Sequence, residues 1–247
     1  MKVSGFTFVH NAINSGYPIS EAIWAIAPYV DEMVVVDMAS TDGTLDFIAP
    51  LGVRVIPGEW IPGAGGACLE KAHAMHTACR GDVIWHFEGD EVFSEPLAKE
   101  VNRLIRLGHT SLAVQRLQLE QNFQRCRWYP EPVHRVFERG SAQKRGHTTA
   151  QHFEFEDVLT LSPENGYLWD FPVMCRDNWI PRMRKQAELW GHEPKFKLVR
   201  RHFLQGELTL TELQAKNHLN DPIWLWKRTP FDIPRVMQAY VGRTKYR

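Results

Sequence analysis

Acidic side chains follow two apolar segments of the sequence, at the point where each segment ends. Residues 33–36 are apolar and are followed by Asp37, and residues 82–87 lead into the segment Glu-Gly-Asp-Glu at 88–91. Three carboxylates within four residues repel one another unless a cation or hydrogen-bond donors neutralise them. Because Mg²⁺ and Mn²⁺ prefer oxygen ligands and commonly also hold substrate phosphates, the second segment predicts a divalent metal site. The same acids could instead begin the helix that follows them.

The acids can act together only if the segments before them are neighbouring strands. Hydrophobic runs and the breaks between them predict strands at 3–9, 33–36 and 53–56, separated by helices at 19–29 and 44–49. Alternation of this kind favours parallel strands joined by crossover helices. Ligands bind at the carboxyl ends of such strands, which is where Asp37 is predicted to lie.

The segment after Asp37 is rich in small, turn-forming residues. Ser40 or Thr41 is predicted to cap the helix that begins at Thr44, leaving the amides of its first turn free to meet an anion. The later predicted elements are a helix at 68–79, a strand at 82–87, a helix at 96–107, a strand at 111–119 and helices at 178–190 and 208–219. An α/β fold with a ligand-binding edge is therefore expected.

The distribution of charged residues limits the classes of protein to which the chain can belong. The 247 residues include 29 basic and 29 acidic side chains, but residues 195–247 carry 11 basic and 4 acidic residues, a net charge of +7. An acidic first part with a basic tail does not match a nucleic-acid-binding protein, whose basic residues form a groove-matching patch. The distribution favours a metal-dependent site in the first part and an anionic partner or surface for the tail.

The sequence predicts a protein that is not exported. The four cysteines form no Cys-x-x-Cys pair, residues 1–9 read as a strand rather than a signal peptide, and no apolar run is long enough to span a bilayer. We therefore expect a cytoplasmic protein with reduced thiols. Its basic C-terminal part is a candidate for peripheral contact with the inner face of the membrane.

Several segments, in this order along the chain, resemble the family 2 glycosyltransferases of GT-A fold, and more narrowly the lipopolysaccharide-core glucosyltransferase-like branch. They are residues 8–11, 30–37, 40–44 and 81–91, followed by similar segments at 135–140 and 175–189. The resemblance implies an α/β fold of GT-A type, with a Rossmann-like, mainly parallel sheet flanked by helices and a less regular C-terminal acceptor region. It implies one domain over 1–247, with a nucleotide-sugar-binding half at 1–115 and a basic, partly helical acceptor half at 116–247.

The resemblance assigns the nucleotide side of the site. Asp37 would contact the base or the ribose of a nucleotide-diphosphate-sugar. Val9, His10 and Asn11 would line the nucleotide pocket. Lys71 lies where such enzymes often carry a basic residue for the donor.

The resemblance also assigns the metal side. Glu88, Gly89 and Asp90 stand where the family carries its Asp-x-Asp motif. Asp90 would bind the Mn²⁺ or Mg²⁺ that bridges the diphosphate and so act in catalysis, and Glu88 would face the ribose or the metal. Arg135 would reach the diphosphate.

The sequence departs from the family's pattern at three places. The loop at residues 62–67 is richer in glycine than usual. Glu88 replaces the usual Asp and is one methylene longer, and residues 146–151 lack the acid that relatives often carry after Val-His. The catalytic base is therefore open between Glu91, Glu131 and Asp157.

The expected reaction transfers a sugar from a nucleotide-diphosphate-sugar to a hydroxyl of a glycan or lipid-linked glycan, in cell-surface polysaccharide biosynthesis. Inversion at the anomeric carbon follows from the family resemblance. Two alternatives are open: a non-catalytic nucleotide-sugar or glycan-binding protein on the same fold, and a sugar-phosphate nucleotidyltransferase. The second would carry Arg and Lys after the first strand, where residues 10–14 of this chain contain neither.

Overall fold

The structure, a computed structural model, describes residues 1–64, 68, 71, 72, 74–118, 125–127, 131–141, 157–171 and 226–228. The strands in these ranges are β1 (Val3–Val9), β2 (Glu32–Asp37), β3 (Arg54–Pro57), β4 (Val83–His86), β5 (Glu91–Phe93), β6 (Leu112–Gln118), β7 (Arg125–Arg127), β8 (Glu131–Glu138), β9 (Leu159–Thr160), β10 (Leu168–Asp170) and β11 (Trp226–Arg228). The α-helices with described ends are α1 (Ala12–Ser15), α2 (Ile19–Ile26), α3 (Thr44–Ile48) and α4 (Glu95–Arg106). Short 3-10 turns occur at Ala27–Tyr29, Ala49–Leu51, Met75–Ala78 and Pro163–Asn165.

Nine of the described strands form one sheet in the order β3-β2-β1-β4-β8-β6-β10-β5, with β9 paired to β6. Strands β3, β2, β1 and β4 are parallel to one another. Val34, Val35 and Val36 are fully buried, because the sheet is covered on both faces. This half of the sheet confirms the prediction of parallel strands joined by crossovers.

Beyond β4 the sheet becomes mixed. Strand β8 is antiparallel to β4 and to β6, whereas β10 is parallel to β6 and antiparallel to β5. Strands β5, β9 and β10 were not predicted, because segments of two or three residues are too short to show a hydrophobic period. The described pairings are mainly parallel, as expected for the predicted α/β class.

Two hydrophobic clusters lie on opposite faces of the sheet. Val35 belongs to one cluster, together with residues of α2 and α4, and Val34 and Val36 belong to the other, together with Cys68 and Ala72. The buried apolar residues of α2 follow the spacing of an amphipathic helix, at Ile19, Ala22, Ile23 and Ile26. The sheet is therefore a rigid support from which the strand ends project.

Helix α4 decides one alternative left open by the sequence. It begins at Glu95 with Ser94 as N-cap, and Glu91 lies in strand β5. The acids at 88–91 therefore do not begin this helix.

Other predictions fall beyond the described residues, including the helices at 178–190 and 208–219 and most of the acceptor half. The division at residues 115 and 116 stays a prediction. None of the helices in the described part of the chain is both long and apolar enough to cross a membrane.

Candidate active site

The carboxyl ends of the parallel strands meet at one edge of the sheet. In the register of the strands, Val9 lies opposite Asp37, and Phe6 lies opposite His86, the last residue of β4. The acidic segment at 88–91 follows β4 directly, so it leaves the sheet at the same edge as Asp37. Strand β1 separates the two groups of acids.

Hydrogen bonds tie the loops after β1 and β2 together around Asp37. Asp37 is 6% exposed, and its Oδ2 accepts the Ser40 N–H at 3.1 Å. The Ser40 hydroxyl oxygen accepts the Asn11 N–H at 2.8 Å, and the Asn11 Oδ1 accepts the Thr41 N–H at 2.8 Å. Both turns need left-handed backbone, with φ of 48° at Asn11 and 56° at Ala39. The loop after β1 and Asp37 therefore form one unit.

The prediction that Ser40 or Thr41 caps the following helix is wrong. The N-cap of α3 is Gly43, with φ of 84° and no side-chain cap. The Ser40 oxygen is instead used by the loop after β1, and Asp42 accepts the Thr44 N–H at 3.1 Å.

Asp42 and Thr44 satisfy the amides that begin α1. The Thr44 Oγ1 accepts the Ala12 N–H at 2.9 Å, and the Asp42 Oδ2 accepts the Asn14 N–H at 2.8 Å. Thr44 also donates its hydroxyl proton to the Asp42 Oδ1 at 2.5 Å. Partial burial opposes the charge of Asp42, but these hydrogen bonds lower its pKa below the ordinary value. The N-terminal amides of α1 are thus occupied within the protein.

An aromatic pair lies beside this unit. The rings of His10 and Trp60 stack with centroids 4.0 Å apart and an interplanar angle of 5°. The His10 Nδ1 lies 2.6 Å from the Met38 carbonyl oxygen, so this nitrogen carries the proton that the carbonyl accepts. A fixed flat ring surface of this kind can stack on a nucleobase.

The acidic segment is a turn that closes on itself. The Glu91 N–H donates to the Glu88 carbonyl at 3.0 Å, and the Glu88 N–H donates to the Glu91 Oε2 at 3.0 Å. The Asp90 carbonyl accepts the Phe171 N–H at 2.8 Å, which fastens the turn to the end of β10. Asp90 itself is 7% exposed.

Arg135 compensates the negative charge of this turn from the interior of the protein. Its side chain is fully buried and forms two parallel hydrogen bonds with Glu91, from Nε to Oε2 at 2.8 Å and from Nη2 to Oε1 at 2.5 Å. The same Nη2 lies 3.3 Å from the Glu88 Oε1, and Nη1 donates to the His134 carbonyl at 3.2 Å. The guanidinium thus faces the carboxylates from inside the protein.

A second arginine joins the cluster from β6. The Arg116 Nη1 lies 3.7 Å from the Glu91 Oε1 and 3.9 Å from the Asp170 Oδ2, and Nη2 lies 2.6 Å from the Glu131 Oε2. Asp170 is 7% exposed and lies opposite Glu91 in the β5–β10 pairing. We call Glu88, Glu91, Arg116, Arg135 and Asp170 the charge cluster.

The pKa values of the two glutamates in the charge cluster shift in opposite directions. Partial burial and the neighbouring charges of Glu91 and Asp90 raise the pKa of Glu88 to about 7, and Arg135 offsets only part of this effect. Burial also opposes the charge of Glu91, but the hydrogen bonds and charge of Arg135 lower its pKa below the ordinary value. Glu91 is therefore held as an anion, whereas Glu88 retains affinity for a proton or another cation.

The residues present fit a divalent metal that is shared with a substrate. No group of three His, Cys, Asp or Glu side chains converges on a metal position within the described residues. Mg²⁺-type sites, however, often use one or two carboxylates together with substrate phosphates. Glu88 and Asp90 offer such a pair, and a cation would remove the repulsion that raises the pKa of Glu88. Glu91 is unsuited as a ligand because both of its oxygens bind Arg135.

The other predicted residues lie further out. Lys71 is exposed, and its Nζ is 3.8 Å from the Glu59 Oε2. Asp157 is exposed in a turn with φ of 60°, and the Glu131 side chain is 48% exposed beside Arg116. The structure thus brings together two groups of predicted residues. One group lies at the ends of β1 and β2 and consists of Val9, His10, Asn11 and Asp37. The other lies beyond β4 and consists of Glu88, Gly89, Asp90, Glu91 and Arg135. The functional roles assigned to these residues stay predictions.

Three residues at this edge were missed in the sequence. Trp60 follows the break after β3, and Arg116 lies within a predicted strand. Asp170 ends a strand of only three residues. Asp170 carries the same signature as Asp37, an apolar run ending in an acid, but its run is too short to be recognised.

Comparison with curated proteins gives relatives that match part of the chain. An uncharacterized glycosyltransferase of Rickettsia bellii is 32% identical over 100 residues, which are 40% of this chain and 31% of that protein. One of Rickettsia felis is 33% identical over 100 residues, 40% of this chain and 32% of that protein. The match thus spans about a third of the length of these relatives.

Comparison with solved structures gives distant similarities. The S. aureus TarS 1-349 structure in complex with UDP-GlcNAc has a TM-score of 0.49 and 17% identity, covering 86% of this chain and 77% of that chain. Glucosyl-3-phosphoglycerate synthase from Mycobacterium tuberculosis, in complex with Mn²⁺, UDP and glucosyl-3-phosphoglycerate, has a TM-score of 0.36 and 22% identity, covering 47% of this chain and 44% of that chain.

The sequence profile of one family matches most of the region that builds this edge. The family is described as Glycosyl transferase family 2, and the match covers residues 9–173. It begins at the end of β1 and extends just past β10, so it includes both groups of acids and the charge cluster. With its α/β sheet of GT-A type, the chain belongs to glycosyl transferase family 2.

Proposed function

We propose that the protein transfers a sugar from a nucleotide-diphosphate-sugar to a hydroxyl of a glycan or lipid-linked glycan, with Mn²⁺ or Mg²⁺ held at Glu88 and Asp90. The observation that carries the proposal is the placement of Asp37 and the turn at 88–91 on either side of β1 at one sheet edge. Two strand spacings amount to roughly 10 Å, so one extended ligand can reach both groups of acids.

The residues on the nucleotide side bind and orient the donor. Asp37 is an acceptor for ribose hydroxyls or a base N–H, and its position is fixed by the Ser40 amide. The His10–Trp60 pair supplies a surface for base stacking. Because these groups are fixed before the donor binds, little ordering is required on binding.

The residues on the acidic side hold the diphosphate through the metal. Glu88 and Asp90 would be the protein ligands of the ion. When bound, a divalent ion offsets the negative charge that grows on the leaving diphosphate. The Phe171 amide holds the backbone of Asp90 at 2.8 Å, which limits the positions open to its carboxylate.

A carboxylate must take the proton of the acceptor hydroxyl as that oxygen attacks the anomeric carbon from the face opposite the leaving group. This displacement would invert the anomeric centre. Glu91 is a poor base because Arg135 holds both of its oxygens and lowers its pKa. We favour Asp170, which lies at the same edge beside Asp90, over the exposed Glu131 and Asp157.

The finer assignment concerns the acceptor. We place the chain in the lipopolysaccharide-core glucosyltransferase-like branch, on the resemblance of residues 81–91 and 135–140 to that branch. The net charge of +7 over residues 195–247 supports an anionic or lipid-linked acceptor in cell-surface polysaccharide biosynthesis, with peripheral contact at a cytoplasmic membrane face.

The experiment is a thermal-shift panel of UDP-, GDP-, CMP- and dTDP-sugars, each with and without Mn²⁺. A ligand that binds the native state raises the melting temperature, so at least one donor should do so in a metal-dependent manner. If none shifts the melting temperature with Mn²⁺ present, the donor site does not exist. A donor that binds but is neither hydrolysed nor transferred would contradict catalysis and favour a binding protein.

A second test uses Asp90→Asn, which removes a metal ligand while nearly keeping the side-chain shape. Metal-dependent donor hydrolysis should fall by at least about 100-fold, since even residues that only orient metal ligands contribute about 10- to 100-fold. Glu138→Gln is a matched control, because Glu138 lies opposite Val83 at the other end of β4. Full activity of Asp90→Asn would remove Asp90 from the mechanism.

A further inference from the structure

Arg135 and Glu91 form the only pair in the described part of the chain in which an arginine with no exposed side-chain surface binds a carboxylate 1% exposed. The two residues are 44 positions apart in sequence and lie on β8 and β5. Their bonds are parallel and bidentate, at 2.8 and 2.5 Å. A buried charged pair of this geometry fixes the relative position of the two groups, since breaking it leaves an uncompensated charge.

Glu91 also fixes the backbone of the turn. Its Oε2 accepts the N–H of Glu88 while its own N–H donates to the carbonyl of Glu88, both at 3.0 Å. Glu91 therefore closes the turn with both its backbone N–H and its carboxylate. Whatever holds the carboxylate of Glu91 in place also holds the first residue of the turn in place.

Arg135 touches Glu88 as well, more loosely. The Nη2–Oε1 distance is 3.3 Å for Glu88 and 2.5 Å for Glu91. Glu91 forms the shorter contact with the guanidinium, so the guanidinium binds Glu88 less tightly. The Glu88 side chain is 31% exposed, so it can turn toward a ligand at the edge of the sheet.

We propose that Glu91 and Arg135 are a positioning pair, in which Glu91 occupies the guanidinium and so leaves Glu88 available to the metal. The inference rests on the proposed function and deepens it. It gives Arg135 a role different from contact with the diphosphate, and gives Glu91 a role different from the catalytic base. Neither residue touches the reacting atoms.

The test is Glu91→Gln, which keeps the size of the side chain and removes its charge. Arg135 should then draw in Glu88, its nearest remaining carboxylate, and weaken the metal site. Mn²⁺ binding is measured from the loss of the free-ion electron paramagnetic resonance signal, with UDP, GDP, CMP or dTDP present in turn. The Mn²⁺ dissociation constant should rise about 10- to 100-fold.

Two further variants separate positioning from stability. Glu32→Gln alters an ion pair at the opposite end of the sheet, where Glu32 binds Arg54 at 3.1 Å, and should leave Mn²⁺ affinity unchanged. The double variant Glu91→Leu with Arg135→Leu replaces the pair by apolar groups, which is often neutral for stability. It should fold, even if Glu91→Gln does not, and should bind Mn²⁺ more tightly than Glu91→Gln, because no guanidinium is left to draw in Glu88.

Each alternative role of the pair predicts a different change in Mn²⁺ affinity. If Arg135 instead binds the diphosphate, releasing it in Glu91→Gln should preserve or increase nucleotide-dependent Mn²⁺ affinity, which would overturn the inference. A double variant that binds Mn²⁺ no more tightly than Glu91→Gln would also overturn it, since the freed guanidinium would then not be the cause of the loss. If the wild-type protein binds no Mn²⁺ with any nucleotide, the proposed function fails and the inference fails with it.

Discussion

The two sides of the sheet edge are ordered by different forces. On the nucleotide side, residues 9–14 and 37–44 are held by hydrogen bonds between amides and side-chain oxygens, with Asp37 and Asp42 each bound by nearby N–H groups. On the acidic side, the charge cluster is held by two arginines that contact several carboxylates. In the first arrangement, each polar group is satisfied by its own hydrogen bonds. In the second, the energy of each charged group depends on the charges of all the others.

This difference predicts how each side responds to substitution. Losing one hydrogen bond on the nucleotide side should cost the energy of that bond and little more. Losing one charge in the cluster should change the environment of all its members, and the effects of several changes should not add. The predictions below compare the two sides, from the largest expected effect to the smallest.

The largest effect is expected for Asp170→Asn. If Asp170 takes the acceptor proton, the rate of sugar transfer should fall by about 100- to 10,000-fold, while the donor-induced rise in melting temperature persists. Transfer is measured with the donor found in the thermal-shift panel. Glu131→Gln and Asp157→Asn should stay near the wild-type rate, and a loss confined to one of them would assign the base there instead.

The next effect is on stability. Arg135→Met should lower the free energy of unfolding by about 3–5 kcal/mol, because Glu91 is left buried without its main partner. Chemical denaturation measures the loss. In contrast, Arg54→Met breaks an ion pair whose arginine is 33% exposed and should cost at most about 1 kcal/mol. Equal losses in the two variants would contradict the special role given to the buried pair.

A pH effect is expected from His134, which neighbours Arg135 on β8. Burial, together with the charge of Arg135, lowers the pKa of His134 to about 4 from a usual value of 6.5. Between these pH values the unfolded chain binds a proton that the native state does not, so stability falls as pH decreases. The loss attributable to His134 should total about 3 kcal/mol.

Urea unfolding of wild type and His134→Gln between pH 8 and pH 4 measures this contribution as the change in their stability difference. The comparison is needed because carboxylates elsewhere also titrate in acid. The stability advantage of wild type should shrink below pH 6.5. A pH-independent difference would show that His134 titrates alike in the folded and unfolded chain.

The smallest effect is expected on the nucleotide side. Thr44→Val keeps the shape of a fully buried side chain but removes the acceptor for the Ala12 amide and the donor to Asp42. The free energy of unfolding should fall by about 1–3 kcal/mol. The exposed Thr41→Val is the matched control and should be near neutral. A loss as large as that of Arg135→Met would remove the distinction between the two sides.

The sequence by itself determined the elements whose signals are local. β1 was predicted with its observed ends, because a short, mainly apolar segment is followed at once by polar residues. β2 was predicted to end at an acid, because a run of buried β-branched residues followed by turn formers leaves few alternatives. The position of Asp37 and the acidic turn at one edge then followed from the rule for parallel strands. The family motifs at residues 8–11, 30–37 and 81–91 added a prediction of the type of ligand.

The tertiary structure decided what depends on contacts between distant residues. Ser40 failed as a helix cap because the amide of Asn11, 29 positions away, uses its oxygen. Glu91 became a buried partner of Arg135 because β8 pairs with β4, a pairing with no local signal. Asp170 joined the site through a strand of three residues, too short to show a period. Local physical preferences therefore placed the acids, and long-range packing decided which of them pair with a buried arginine.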